Sequence, residues 1–264
     1  MNRKTNDLLI KQWQAAAERP PGLVTIAPTA TWSSFYRNLY LGGALRISLI
    51  AGWAAGNSQK LEGAVVTTDW KKTLLHLPLS ELDQKVGWSI PWLRGILTHP
   101  RLDGYWKRVE LTGEIVDLDL PMQHIVGYYD FFSRESVSNF MRMHQQARDP
   151  QTRRHQQLIL GPWDHGSIGA AKVGEIDFGQ NAVIDTAGEN LLWFDRFLKE
   201  EDVSADEVNP AVRYFSMGDN VWHEASTWPP DGFKSESFYL HSSGDANTAQ
   251  GSGCLLYTSD AADE

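Results

Sequence analysis

Two apolar runs, each followed by a short stretch of glycine, aromatic and charged residues, organise the chain. The first run, residues 120–126, precedes Gly-Tyr-Tyr-Asp, and the second, residues 157–160, precedes Gly-Pro-Trp-Asp-His-Gly. Short apolar runs that end at glycine are typical of buried strands. In an open α/β sheet, functional groups collect just beyond the carboxyl ends of the strands. The pattern therefore predicts that Asp130 and His165 lie together at such an edge.

Helical periodicity surrounds these two strands. Residues 134–146 carry apolar side chains at helical spacing with Ser133 as the expected N-cap, and residues 188–199 show the same spacing. Near the start of the chain, residues 8–18 predict a helix and residues 23–28 predict a short buried strand. Strands that alternate with helices in this way predict an α/β fold.

A long segment between the early strand and residue 116 alternates amphipathic pieces with glycine and proline breaks. This pattern predicts short helices, and the candidates are residues 33–55, 65–75, 79–86, 90–97 and 102–110. Six large aromatic side chains fall in the segment: Trp32, Tyr36, Trp53, Trp88, Trp92 and Trp106. Some of them could line a substrate pocket, but for any single one ordinary packing is the preferred interpretation.

The periodicity changes near the end of the chain. Residues 200–207 form an acidic run of the kind that usually is a solvated connection. Beyond it, residues 212–217, 222–224 and 236–241 are strand-like, with a turn at residues 218–220. This change predicts a β domain that follows the α/β part.

Composition and charge exclude several classes of function. A formal net charge of −9 argues against a nucleic-acid surface, and no apolar run is long enough to span a membrane. The eight His and one Cys form no His-Glu-x-x-His or Cys-x-x-Cys motif, and no glycine-rich phosphate loop follows a strand. The sequence therefore predicts no metal site and no cofactor.

The order of Asp130 and His165 is the order that serine chemistry requires. A serine hydrolase uses a histidine that accepts the nucleophile's proton and a carboxylate that orients the imidazole, and α/β-hydrolases place them in the order Ser, Asp or Glu, His. The pattern alone leaves an alternative open, in which Asp130 caps the next helix and His165 is an ordinary loop residue. Asp164 is a poorer partner for His165, because adjacent residues in a turn usually point apart.

The stretches Gly-Tyr-Tyr-Asp-Phe-Phe and Leu-Gly-Pro-Trp-Asp-His-Gly resemble the CocE/NonD family of serine hydrolases. The similarity runs from about Gln12 to about Asn247. It implies that Asp130 and His165 are the triad aspartate and histidine. It also implies that the partner is a small-molecule ester, amide or peptide substrate, cleaved through an acyl-enzyme without a cofactor.

The resemblance implies a partial α/β-hydrolase fold with a helical cap insertion and the start of a C-terminal β jelly roll. Residues 1–30 would be a remnant of the hydrolase core, residues 31–115 the cap, residues 116–200 the core with Asp and His, and residues 207–253 the partial jelly roll. Residues 254–264 resemble a translated transposase-type sequencing adapter, and we expect them to be foreign to the gene.

The family's nucleophile elbow, Gly-x-Ser-Tyr-x-Gly, would fall on residues 4–9, where Asn6 takes the place of serine and neither glycine is present. An amide cannot form an acyl-enzyme. We therefore expect an inactive fragment of a longer or frameshifted gene. The alternative is a degenerate hydrolase scaffold that acts as a binding module. A cytoplasmic or secreted location and a homo-oligomeric state are left open.

Overall fold

The computed structural model describes residues 8–58, 69–87, 89–199, 208, 210–244, 248, 251 and 254–257. Asn6, Trp88 and the acidic run at residues 200–207 lie outside the described residues, so the predictions made for them stay predictions. Contacts divide the chain into two units, Met1–Trp228 and Pro229–Glu264.

Short helices dominate the first part of the larger unit. Helix α1 covers Leu8–Ala17. It is followed by α2 (Phe35–Leu39), β1 (Tyr40–Leu41), β2 (Ala44–Leu45), α3 (Ile47–Ser58), α4 (Trp70–Thr73), α5 (Leu82–Val86), α6 (Pro91–Thr98) and α7 (Gly104–Lys107), with 3-10 turns at Leu79–Glu81 and Ile115–Asp117. The elements from α2 to α7 lie in the segment predicted to be a cap and are called the cap region here, and the buried centre of this region includes Leu39, Ile50, Leu93, Ile96 and Trp106.

Strands and longer helices make up the rest. They are β3 (Met122–Gly127), α8 (Ser133–Gln146), α9 (Pro150–Arg154), β4 (Gln156–Gly161), β5 (Lys172–Val173), β6 (Ile176–Asp177), α10 (Thr186–Leu198), β7 (Val212–Ser216) and β8 (Val221–Ala225), with a 3-10 turn at Gln180–Ala182. The smaller unit contains β9 (Phe238–His241) and β10 (Cys254–Tyr257), which pair antiparallel. No helix among the described residues has the length and apolar character needed to cross a membrane.

The central sheet has the strand order β3-β4-β7-β8, in which the first three strands are parallel and β8 is antiparallel. Helix α8 packs against β3 and β4. Its side chains Phe140 and Met143 are fully buried. They belong to the apolar face that the helical spacing predicts. The sheet and its packed helix form the α/β core that the two apolar runs predicted.

The predicted strand at residues 23–28 is present only as a bridged segment. Ile26 and Thr29 make isolated parallel bridges to Met122 and Ile125 of β3. The segment therefore lies beside β3 and follows its direction without forming a continuous ladder.

The predicted helix at residues 33–55 is interrupted. Gly42 and Gly43 have left-handed φ angles of 58° and 85°, which side chains other than glycine rarely adopt, and they form the turn of a hairpin between β1 and β2. The apolar pattern on either side of this turn belongs to two separate helices, α2 and α3. The predicted helices at residues 79–86 and 90–97 match the structure closely, whereas α4 and α7 are shorter than expected.

The first two strands assigned to the predicted jelly roll, β7 and β8, are not part of a separate β domain. Strand β7 pairs in parallel with β4, and β8 pairs with β7, so both belong to the central sheet. Val212 and Phe215 are three residues apart, so they point to opposite faces of β7, and both are buried. A strand-like sequence pattern indicates a strand but not the sheet to which the strand belongs. Of the strand stretches assigned to the jelly roll, only residues 236–241 fall in the smaller unit.

A buried histidine on β3 should make the stability of the core depend on pH. His124 is 1% exposed and its ring lies 5.9 Å from the rings of both Trp13 and Phe140. Burial lowers the pKa of His124 to about 4. In the unfolded chain the imidazole binds its proton at an ordinary pKa of about 6.5.

The free energy of unfolding should therefore fall as the pH is lowered from about 6.5 to about 4, by up to roughly 3 kcal/mol, with no further loss from this group below that range. Urea titrations followed by tryptophan fluorescence measure this slope. In His124→Asn the slope should largely disappear, whereas His223→Gln at a half-exposed site should retain it. An unchanged slope in His124→Asn would contradict the assignment.

Candidate active site

The ends of β3 and β4 bring the two predicted residues together. Asp130 lies three residues beyond β3, and His165 lies four residues beyond β4. Asp130 Oδ2 is 2.9 Å from His165 Nδ1. The Asp130 side chain is fully buried and the His165 side chain is 34% exposed. A buried carboxylate in contact with a partly exposed imidazole is the arrangement that an orienting aspartate and a general base require.

The second oxygen of Asp130 holds the following loop. Asp130 Oδ1 accepts the Phe132 N–H at 2.7 Å, and the Asp130 carbonyl accepts the Ser133 N–H at 3.0 Å. Helix α8 begins at Ser133 with Phe132 as its N-cap, one residue earlier than predicted. One oxygen of the Asp130 carboxylate therefore contacts His165 and the other contacts the N-cap residue of α8, and the choice between the two interpretations of Asp130 stays a prediction.

Asp164, the neighbour of His165, makes hydrogen bonds within its own loop. Its Oδ1 accepts the Gly166 N–H at 3.0 Å and the Ser167 hydroxyl at 2.7 Å. The carboxylate therefore closes the loop around His165 on itself. The role of Asp130 as the orienting partner stays a prediction.

Close backbone packing behind the site explains the glycines in both motifs. Trp163 is fully buried, and its carbonyl accepts the Tyr129 N–H at 3.0 Å. A Cβ on Gly127 would overlap that carbonyl, and a Cβ on Gly161 would overlap the Trp163 ring. The two loops can cross at this point only because neither strand end carries a side chain.

Aromatic rings surround the imidazole. The ring of His165 lies 4.4 Å from the Phe131 ring and 5.1 Å from the Phe132 ring. Next to it is a pocket of about 120 Å³. The pocket is lined by Trp32, Phe35, Asn38, Leu39, Leu49, Ile50, Trp53, Phe131, Phe132 and His165. An apolar pocket that opens onto an imidazole can bind the apolar part of a ligand beside a proton-accepting group.

Two of the six aromatic residues singled out in the sequence, Trp32 and Trp53, line this pocket. Trp106 is instead buried in the centre of the cap region, where Tyr36 packs against its ring. Phe131 and Phe132 belong to the Gly-Tyr-Tyr-Asp-Phe-Phe motif, whereas Phe35, Leu39, Leu49 and Ile50 gave no signal in the sequence, because apolar residues at their spacing are typical of ordinary helix packing. Within the described residues, no group of His, Cys, Asp or Glu side chains could hold a metal ion.

A match to a protein family covers most of the site. Residues 10–167 match the family model for X-Pro dipeptidyl-peptidase (S15 family). The chain belongs to the S15 family. This S15 chain is 29% identical over 268 residues to a cocaine esterase from Rhodococcus sp. (strain MB1 Bresler). The aligned region covers 93% of the chain and 45% of that protein. The chain is 28% identical over 137 residues to a putative serine esterase from Mycobacterium bovis, which covers 52% of the chain and 19% of that protein.

Solved structures share the fold of the S15 chain. An aminopeptidase from a marine sediment Thaumarchaeota archaeon matches with a TM-score of 0.60 at 21% identity, over 85% of the chain and 38% of its own length. An α-amino acid ester hydrolase matches with a TM-score of 0.60 at 19% identity, over 82% of the chain and 36% of its own length. The chain thus spans less than half the length of these relatives. The family and the α/β fold with a mixed sheet confirm the CocE/NonD resemblance, while the jelly roll and the function of the cap stay predictions.

Gly127→Ala should lower the free energy of unfolding by about 3 kcal/mol or more, because the new Cβ would overlap the Trp163 carbonyl and the backbone would have to move. Gly56→Ala is the matched control, since a Cβ in that part of α3 meets nothing within 4 Å, and it should stabilise by up to about 1 kcal/mol. Urea unfolding curves measure both. Equal stability of the two variants would exclude the close approach at Gly127.

Proposed function

We propose that this chain supplies the aspartate and histidine of a serine hydrolase that cleaves ester or amide bonds, either acyl or X-Pro dipeptidyl, through an acyl-enzyme. The single observation that carries the proposal is the 2.9 Å contact between Asp130 Oδ2 and His165 Nδ1. Membership of a hydrolase family supports it. The similarity to esterases and to an aminopeptidase supports both classes of substrate bond.

The proposed mechanism follows from the orientation of the imidazole. An ionised carboxylate can only accept a hydrogen bond, so Nδ1 of His165 carries the proton and Nε2 is the basic nitrogen. His165 takes the proton of the attacking hydroxyl as general base and then gives it to the leaving group as general acid. Asp130 stays ionised and stabilises the imidazolium that forms between these two steps. Water then repeats the sequence to release the acyl group.

The pocket beside His165 would hold the apolar side of the substrate. Its lining comes from both the cap region, including Trp53, and the loop after β3, including Phe131. Contact with aromatic and aliphatic surface favours an apolar acyl group or a side chain of similar character. The pocket lining includes no serine among the described residues, so the nucleophile of the proposed site would have to come from another part of the enzyme.

The nucleophile is proposed to be a serine that this sequence lacks. In the family register Asn6 takes its position, and the flanking glycines of the elbow are missing. The same observation favours a second candidate function, a non-catalytic scaffold that binds a ligand without cleaving it. The two candidates differ in what the source gene encodes ahead of Gln12, where an in-frame Gly-x-Ser-Tyr-x-Gly would favour the hydrolase.

The chain with Asn6 should not react with a fluorophosphonate probe, because the probe requires an activated serine hydroxyl. Intact-mass spectrometry after labelling at pH 7.5 measures this, with a heat-denatured sample as the background control. A serine adduct above that background would show that the chain has a nucleophile of its own.

In a protein that carries this chain behind an intact elbow, Asp130→Asn should lower kcat for a p-nitrophenyl ester by about 10⁴-fold, because the imidazole loses the tautomer that it needs. Asp164→Asn is the matched control, and it should lower kcat by less than about tenfold, because that carboxylate contacts only its own loop. A similar loss in both variants would contradict the role given to Asp130.

A further inference from the structure

One cationic side chain of the cap region contacts the loop that carries Asp130. Arg46 lies between β2 and α3, directly after the Gly42-Gly43 hairpin. Its Nη1 donates to the Phe131 carbonyl at 2.7 Å and to the Asn38 carbonyl at 3.3 Å. Phe131 is the residue after Asp130, and its ring lies against the His165 ring. A single guanidinium therefore joins the cap to the loop between the two candidate triad residues.

The charge of Arg46 acts on Asp130 in particular. Burial lowers the pKa of the Arg46 guanidinium, and the negative charge of Asp130 opposes this effect. A second pocket, of about 360 Å³, is lined by Arg46 and Asp130 together with the charged residues Arg37, Arg134 and Glu135. Burial raises the pKa of Glu135, and the charges that act on it belong to Arg142, Arg37, Glu110 and Arg134. Arg46 is thus a cation on which the negative charge of Asp130 acts, and it is bonded to the residue that follows Asp130.

A general base must be neutral before it can accept a proton. In any aspartate–histidine pair, the negative charge of the carboxylate favours the protonated form of the imidazole. A positive charge close to Asp130 offsets that attraction while leaving the Nδ1 contact in place. The cost of partly burying a guanidinium is compensated by its two bonds to backbone carbonyls.

We propose that Arg46 is a positioning residue of the site, which ties the cap to the Asp130 loop and offsets the carboxylate's charge so that His165 stays neutral. The purpose of this arrangement rests on the proposed hydrolase function. Its test does not, because it measures the titration of the imidazole in the full chain, with no need for a nucleophile. Failure of the test would leave the Asp130–His165 contact intact, and failure of hydrolysis would leave the titration result intact.

The experiment is an NMR titration of the full chain labelled with ¹⁵N-histidine. His165→Gln identifies the His165 signal by its loss. Besides Asp130 and Arg46, the charged groups near this edge of the sheet are Asp164, Arg37, Arg134 and Glu135. Arg134, an exposed residue on the wall of the same pocket, provides the control position.

In Arg46→Gln, which removes the charge and retains an N–H donor, the midpoint of the His165 titration should move up by roughly 0.5 to 1 pH unit, a threefold to tenfold tighter hold on the proton. Arg46→Lys keeps the charge and should leave the midpoint within about 0.2. Arg134→Gln should move it by less than a third of the Arg46→Gln shift.

An unchanged or lowered midpoint in Arg46→Gln would overturn the proposal, because loosening of the loop alone would weaken the Asp130 contact and release the proton more easily. If Arg46→Gln does not fold, Arg46→Met, which also removes the charge, takes its place, with the same rise expected and with an unchanged or lowered midpoint again overturning the proposal. Loss of folding in both variants would overturn it by assigning Arg46 to the structure of the cap alone.

Discussion

The parallel pairing of β3 with β4 is the constraint on which the site depends. The strands are in register from Met122 opposite Gln156 to Gly127 opposite Gly161, so they end at the same level. A slip of one residue would displace one loop by about 3.3 Å along the strand. A displacement of this size is larger than the range of donor–acceptor distances over which a hydrogen bond forms, so Asp130 would no longer reach the imidazole. The register is secured by the buried faces of both strands and by the glycine crossing at Trp163.

The Asp130 carboxylate contacts two different parts of the molecule. One oxygen of Asp130 holds the start of α8 through Phe132, and the other contacts His165. Movement of α8 against the sheet would therefore displace the carboxylate that contacts the imidazole. Trp163 and Arg46 both bond to the loop that carries Asp130, the first through its carbonyl to the Tyr129 N–H and the second through its guanidinium to the Phe131 carbonyl. The geometry of the site is a property of the packed loops as a whole.

The sequence predicted the parts of this arrangement that depend on local pattern. Apolar runs marked β3 and β4, helical spacing marked α8, and the two motifs identified Asp130 and His165. Contacts between segments that are far apart in the chain could not be predicted, because no local sequence pattern indicates them. Arg46 reads in the sequence as an ordinary polar break in an apolar stretch, because its partner is a backbone carbonyl 85 positions away. The pairing of β7 with β4 was missed for the same reason, since a strand pattern does not name its neighbour.

The place of β7 and β8 in the central sheet sets where the chain can be divided. A cut in the acidic run at residues 200–207 would remove two of the four strands and leave the outer edge of β4 without its partner. Open edges of this kind invite pairing with other molecules. A shortened chain that ends at Trp228 would keep the whole sheet and omit only the smaller unit. For recombinant work, the natural point of division lies after β8.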